Sequence, residues 1–322
     1  MSSLDGRHWR ATPGLARDLN HVIWSGADEG FVAVGAGGTV AGFSRSEFLN
    51  GHRSIRSYGN TAFNAIATNG SRFVVVGDDG TIMKTFGDSP SGFYSVTSGT
   101  TQDLRGVTWT GSYWIAVGDG GIVLRSSSSA STWTELDSAT TGGLRSVAYH
   151  DGIAVAAGSS GIHTSTRTAS TWTSRTGGAF YDVAWDGSQW VATGYAGRVA
   201  TSPDGIQWTT SDQPVGATLR GVTAGENGWV AVGTDTVVHS EQGTDWFRVF
   251  GQPAALGDVH FLNGRFVMGT ENAMAAFSDD GSSWTESAVR SWVSGSRPWR
   301  GAIWTGSHYV LASAYHLDAS ED

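Results

Sequence analysis

Apolar and polar positions alternate along this chain in short strand-length runs, and the same succession of runs returns eight times. Each unit opens with a strand of the form V-x-W-x-G, as in Val107-Thr108-Trp109-Thr110-Gly111. A second, almost wholly apolar run ending in glycine follows, as in Trp114-Ile115-Ala116-Val117-Gly118. A glycine turn, a third strand, a Ser/Asp/Gly turn and a fourth strand led by a tryptophan such as Trp133 complete the unit. The anchor position recurs at Val22, Ile66, Val107, Val147, Val183, Val222, Val259 and Ala302, every 36 to 44 residues. Four short strands on a period of about 40 to 45 residues mark the blades of a β-propeller. The sequence therefore predicts an all-β, eight-bladed propeller of four-stranded antiparallel blades. Seven blades is the alternative if the degenerate first repeat does not form a full sheet.

The phase of the repeat predicts how the ring shuts. Fourth-strand tryptophans stand at Trp9, Trp133, Trp172, Trp208, Trp246 and Trp284, and the two missing members fall near Ile55 and Phe93-Tyr94. The first fourth strand, Ser3 to Arg10, has no inner strands before it, and the last inner strands, Arg300 to Asp318, have no fourth strand after them. Joining the two makes residues 1–322 one domain, in which the N-terminal segment 1–17 completes the C-terminal blade 297–322. Such pairing removes the unsatisfied N–H and C=O groups of an open edge.

Composition narrows the function more than the fold. The 15 tryptophans supply bulk to wedge between sheets, and charged residues make up 15%, below the roughly 25% of ordinary globular chains. A net charge of −9 with no basic stripe argues against a nucleic-acid partner. No apolar stretch is long enough for a membrane-spanning helix, so no membrane insertion is expected. The start lacks the apolar core of a secretory signal. Synthesis in the cytoplasm is expected, and the compartment of action stays open. Zero cysteines exclude thiolate metal sites and cysteine nucleophiles.

The turn before the fourth strand reads Ser202-Pro203-Asp204-Gly205-Ile206-Gln207-Trp208 and Ser278-Asp279-Asp280-Gly281-Ser282-Ser283-Trp284. Ser3-Leu4-Asp5-Gly6-Arg7-His8-Trp9 matches it, and Ser240 to Trp246 keeps the Ser, Gly and Trp. This turn resembles a shortened Asp-box, or BNR, repeat of the sialidase-like propellers. The whole blade from Leu104 to Ile122 is also similar to the repeats of photosystem II assembly factors, and similar blades occur in bacterial and phage proteins. The sialidase resemblance implies an arginine triad, a tyrosine–glutamate pair and an Arg-Ile-Pro element near the start. That element is absent, and the one Arg-Pro pair, Arg297-Pro298, lies near the other end. Glycoside hydrolysis needs two carboxyl groups held across one bond, and no such pair stands out. The expectation is a protein that is not an enzyme, with no catalytic residues and no cofactor; a sialidase-like glycoside hydrolase is the alternative.

No metal site is expected either. Asp78-Asp79-Gly80 and Asp119-Gly120-Gly121 read as tight turns without the further oxygens of a calcium loop, and the nine histidines are scattered. One constellation does stand out. Two residues before each anchor, where the chain enters the innermost strand, stand Asn20, Asn64, Arg105, Arg145, Tyr181, Arg220, Gly257 and Arg300. Four arginines thus fall on one structural ring at the mouth of the central channel, and Arg105, Arg145, Arg220, Arg300 and Tyr181 are the candidate partner-binding residues. Converging guanidinium groups would favour a carboxylate, a phosphate or an acidic protein segment. Asp78, Asp79, Asp119 and Asp235 in nearby turns offer the competing reading, a latch between blades. Trp292, in the long unpatterned connection Glu286 to Pro298, is a second candidate contact; the insertion Gly42 to Gly59 is another. The expected function is non-catalytic recognition of a protein or glycan partner. The resemblance implies a place in a phage virion, phage tail or other surface assembly. An assembly chaperone that uses the arginine ring against an acidic segment is the second binding reading.

Overall fold

The computed structural model describes residues 2–3, 18–24, 30–44, 54–89, 92–166, 168–213, 215–233, 235–249, 255–270, 275–287 and 299–313. Every repeat contributes an innermost strand: Leu19–Trp24, Phe63–Thr68, Leu104–Trp109, Leu144–His150, Phe180–Trp185, Leu219–Gly225, Ala255–Leu262 and Trp299–Trp304. They pack side by side in a closed ring, the last back against the first. Outward from each runs an antiparallel sheet. In the third repeat its further strands are Tyr113–Gly118, Val123–Ser127 and Trp133–Leu136.

Hydrogen bonding gathers the strands into seven sheets, so the expectation of eight separate blades is corrected to seven, the alternative count. Six sheets have four antiparallel strands and the last has seven. That last blade is double, because Ala255–Leu262 bonds in parallel to the start of Trp299–Trp304, with Gly257 opposite Trp299. The physical reason lies at Gly257, which carries no side chain to hold the two backbones apart. At the far edge of the same sheet Ser2 pairs with Val310 and Ser3 with Tyr309. The expected closing tryptophan Trp9, with the rest of 4–17, lies outside the described residues. The fourth strands expected near Ile55 and Phe93 are present as Ser54–Ser57 and Phe93–Val96.

The motif residues explain the blade. Trp109 faces Trp114 across the inner hairpin with ring centroids 5.0 Å apart, and Trp185 faces Trp190 at 5.1 Å. Such offset pairs add packing specificity to the area they bury. Gly118 ends the second strand because a Cβ there would meet the Asp103 carbonyl oxygen, which accepts the Asp119 N–H at 2.8 Å. The core is a series of wedges between neighbouring sheets. One wedge joins Ala65, Val74 and Val76 of the second sheet to Leu104, Val107 and Trp114 of the third. Another joins Leu19, Val22 and Phe31 to Ile303, Val310 and Ala312, which packs the first sheet on the last.

The turns before the fourth strands have the chemistry their sequence predicts. Asp204 Oδ1 accepts the Ile206 and Gln207 N–H groups at 2.8 Å each, and these bonds hold its carboxyl below the usual range. Gly205 takes φ +70°, and Trp208 Nε1 donates to its carbonyl at 2.9 Å. Asp280 and Trp284 repeat the arrangement.

Candidate functional site

Each innermost strand starts with a β-bulge. Leu104 pairs with Gly118 and Gly106 with Val117, which leaves Arg105 as the extra residue. The same shift skips Asn20, Asn64, Arg145, Tyr181, Arg220 and Arg300 in their strands. In the seventh repeat it spans 256–258 and so includes Gly257. The skipped residues are the ring read from the sequence. A bulge re-aims the side chain of its extra residue and bends the strand, and in the first six repeats it turns that residue toward the channel mouth. Asn20, Asn64, Arg105, Arg145, Tyr181 and Arg220 line one cavity of about 330 Å³.

One side of this mouth is closed by its own hydrogen bonds. Arg105 Nη2 lies 2.7 Å from Asp103 Oδ2 and 2.7 Å from Asp119 Oδ2, and its Nη1 lies 3.3 Å from Asp78 Oδ1. The Asp119 bond, more than any other cause, holds Arg105 protonated more firmly than a free guanidinium. Asn64 Nδ2 donates to Asp78 Oδ1 at 2.8 Å and to the Leu104 carbonyl at 2.9 Å. Asn20 Nδ2 donates to the Phe63 carbonyl at 2.8 Å.

The other side is open. The Arg145 guanidinium lies 5.1 Å from the Tyr181 ring centroid and that of Arg220 5.4 Å from it. Tyr181 thus holds one cation from each neighbouring repeat. Arg145 and Arg220 are exposed, and neither has a carboxylate partner among the described residues. Sequence explains the contrast. Where the third repeat has Asp103 and Asp119, the fourth has Gly143 and Ser159, and the sixth has Thr218 and Thr234. Of the turn carboxylates expected to latch the ring, Asp78 and Asp119 bind Arg105. The Asp79 N–H instead donates to Asp103 at 2.9 Å, and the Asp235 carbonyl accepts from Arg248 at 3.2 Å. Arg300 stands at the bulge of its strand, but its side chain lies outside the described residues, as do Trp292 and residues 45–53 of the insertion.

A second layer lies one residue further along each strand, where His21, Ser146, Asp182 and Asp258 line the same cavity beside Ala65 and Gly106. Asp182 accepts the Ser146 hydroxyl at 2.9 Å and the Val222 N–H at 3.1 Å, and so ties three repeats together. Asp258 Oδ1 accepts the Val259 N–H at 2.8 Å, while its Oδ2 lies 3.7 Å from His260 Nε2. Burial, then the nearby Asp258 charge, pushes the Asp182 carboxyl up to about 7. Burial raises Asp258 to about 6. Burial lowers both histidines to about 4, with the His21–His260 repulsion adding at His21. The His260 and Asp258 side chains are 26% and 38% exposed. Asp258 is thus enclosed by protein yet lines the cavity below the mouth, with the buried His260 Nε2 beside it.

This carboxyl pair does not stand out in the sequence, where its members are two repeats apart. The signal was the position just before each anchor, where six of eight repeats have no acid and two have Asp182 and Asp258. No group of three or more His, Asp or Glu among the described residues could hold a metal ion.

No family model matches the chain, and no curated protein does. Solved structures share its fold at low identity. A computationally designed protein, Ika8, superposes with a TM-score of 0.79 at 12% identity, covering 98% of this chain and 100% of its own. The C-terminal WD40 domain of Sif2 gives 0.74 at 11% identity, covering 98% and 99%. YCF48 from Cyanidioschyzon merolae gives 0.60 at 15% identity, covering 81% and 95%. These likenesses show a β-propeller. They do not show the Asp-box family.

Proposed function

We propose that the chain is a non-catalytic recognition scaffold, one domain closed by its two ends, that binds an acidic segment of a protein partner at the open side of the channel mouth. One observation carries this reading: Arg145 and Arg220 converge on Tyr181 with no carboxylate of the chain to neutralise them. Their planar forks suit a carboxylate, and the cavity behind them gives the partner's side chain somewhere to go. A solved structure of a protein of this fold is described as YCF48 bound to D1 peptide, with a TM-score of 0.61 and 14% identity. Binding of a peptide by that protein supports a peptide-sized ligand here. A glycan partner and a place in a virion rest on the sequence resemblance alone. Tyr181 offers a poor platform for a sugar ring, since a guanidinium approaches it from each neighbouring repeat.

Fluorescence anisotropy with a labelled, terminally blocked peptide Gly-Gly-Glu-Gly-Glu-Gly-Gly at low salt tests the reading. The Arg145→Ala/Arg220→Ala variant, melting as the parent does, is expected to raise Kd about tenfold or more. Equal affinity in parent and variant, or no binding by either, would overturn it.

A further inference from the structure

The cavity changes sign with depth. Its lip carries Arg145 and Arg220, and its second layer carries Asp182 and Asp258. Among the described residues, the charged and titratable groups on the inner strands around that acid pair are His21, Arg105, Arg145, Tyr181, Arg220 and His260. Among the described residues none neutralises it. Arg105 is engaged by three other carboxylates, and neither Arg145 nor Arg220 bonds to either acid. His21 is used as an acceptor by the Ile66 N–H at 3.1 Å. Asp258 Oδ2 and His260 Nε2 stand 3.7 Å apart, and the histidine nitrogen is buried with no hydrogen-bond partner. Ala65 and Gly106 leave the layer between without bulk.

Resting on the reading above, we propose that the partner segment is dipolar. Its acidic group lies on Arg145 and Arg220, and an adjacent lysine or arginine side chain descends to Asp182, Asp258 and His260. His260 Nε2, which lacks a hydrogen-bond partner in the free protein, would then gain one. Buried polar groups are normally satisfied, and an unpaired one is costly, so a site that leaves one waiting beside two acids is completed by a donor from outside. Asp182 keeps lone pairs beyond those used by Ser146 and Val222. The acids and histidines are spread too widely for a metal ion among the described residues. A flexible ammonium or a broad guanidinium bridges such spacing. Docking a cation beside the pair drives it to its fully ionised state, so the proton held there leaves to solvent as the cation arrives.

The test replaces the central glycine of the same blocked peptide by lysine, arginine or norleucine. Added positive charge weakens attraction to a purely cationic lip, so a gain cannot come from Arg145 and Arg220. At pH 6.5 the lysine or arginine peptide is expected to bind about tenfold tighter than the norleucine peptide. In Asp182→Asn/Asp258→Asn the gain of the basic peptides over the norleucine peptide should vanish. Calorimetry in two buffers of different ionisation heat gives a readout on the unmutated protein, should the double variant not fold. Proton release is expected with the basic peptides and not with norleucine. If the norleucine peptide binds but neither basic peptide gains, or the gain survives the double variant, or no proton is released, the inference falls and the acidic-segment reading stands. If no peptide of the set binds, it is the acidic-segment reading that has failed.

Discussion

Arg105 and Arg145 sit at the same bulge in consecutive repeats, yet one is tied down by three carboxylates and the other is free to meet a ligand. Backbone geometry is shared, since both strands skip one residue against the glycine-ended neighbour. The difference lies in two neighbouring positions. Asp103 and Asp119 flank Arg105, whereas Gly143 and Ser159 flank Arg145. The propeller fixes where an arginine ring stands; the short turns beside it decide which members hold blades together and which face outward. Ion-pair networks and ligand sites are built from the same residue types, and here one ring contains both.

The two sides should differ most in their response to pH. The closed side is made of full ion pairs. Beneath the open side lie carboxyls raised to about 7 and 6 by burial, and histidines lowered to about 4 by burial. A raised carboxyl binds more protons folded than unfolded, so its contribution is complete below about pH 4 and is lost as pH rises toward 7. The lowered histidines act in the opposite sense: their contribution is present above about pH 6.5 and lost as pH falls toward 4. In the parent the two trends oppose each other. Asp182→Asn/Asp258→Asn removes only the first, so the variant should gain stability relative to the parent as pH rises from 4.5 to 7, and no further above that. Urea midpoints across this range measure it. A constant offset between the two curves would show that both carboxyls stay ionised throughout.

The closed side should carry more stability per arginine. Arg105→Ala leaves Asp78, Asp103 and Asp119 facing one another without a counter-charge, with side chains 35%, 32% and 39% exposed. Partial exposure discounts the cost that a dry site would impose, and a loss of about 1–2 kcal/mol is expected. Arg145→Ala and Arg220→Ala should each stay within about 0.5 kcal/mol of the parent. Denaturant unfolding of the three single variants compares them directly. Equal losses for all three would erase the distinction between the sides.

The ring was legible because it occupies one register position in every repeat, and eight copies make such a position visible without coordinates. The Asp204 and Asp280 turns were legible for a local reason, since their bonds span only two or three residues. The fusion of the last two repeats was not, because it depends on the backbone approach that Gly257 permits. The acid pair was hidden by distance. Asp182 and Asp258 lie two repeats apart, with Gly221 of the repeat between them so close that a Cβ there would meet Asp258 Oδ1. Neither residue signals the other along the chain, and only the packing of successive inner strands brings them to one cavity.

The smallest effect is also the most direct test of what separates the sides. The Ser159 N–H donates to the Gly143 carbonyl at 2.8 Å, as the Asp119 N–H does to that of Asp103. A carboxylate introduced by Ser159→Asp therefore starts from the backbone position that lets Asp119 reach Arg105. It should draw Arg145 into a latch and weaken binding of the acidic peptide about threefold, the size of an exposed ion pair. Stability should rise by no more than about 0.5 kcal/mol, because Ser159 is exposed. Ser159→Asn has the same shape without the charge and should change neither. Anisotropy titrations of the two variants at low and moderate salt separate shape from charge, and the difference between them should shrink as salt screens the pair. Identical behaviour of the two variants would mean that neighbouring charge does not set the difference between Arg105 and Arg145.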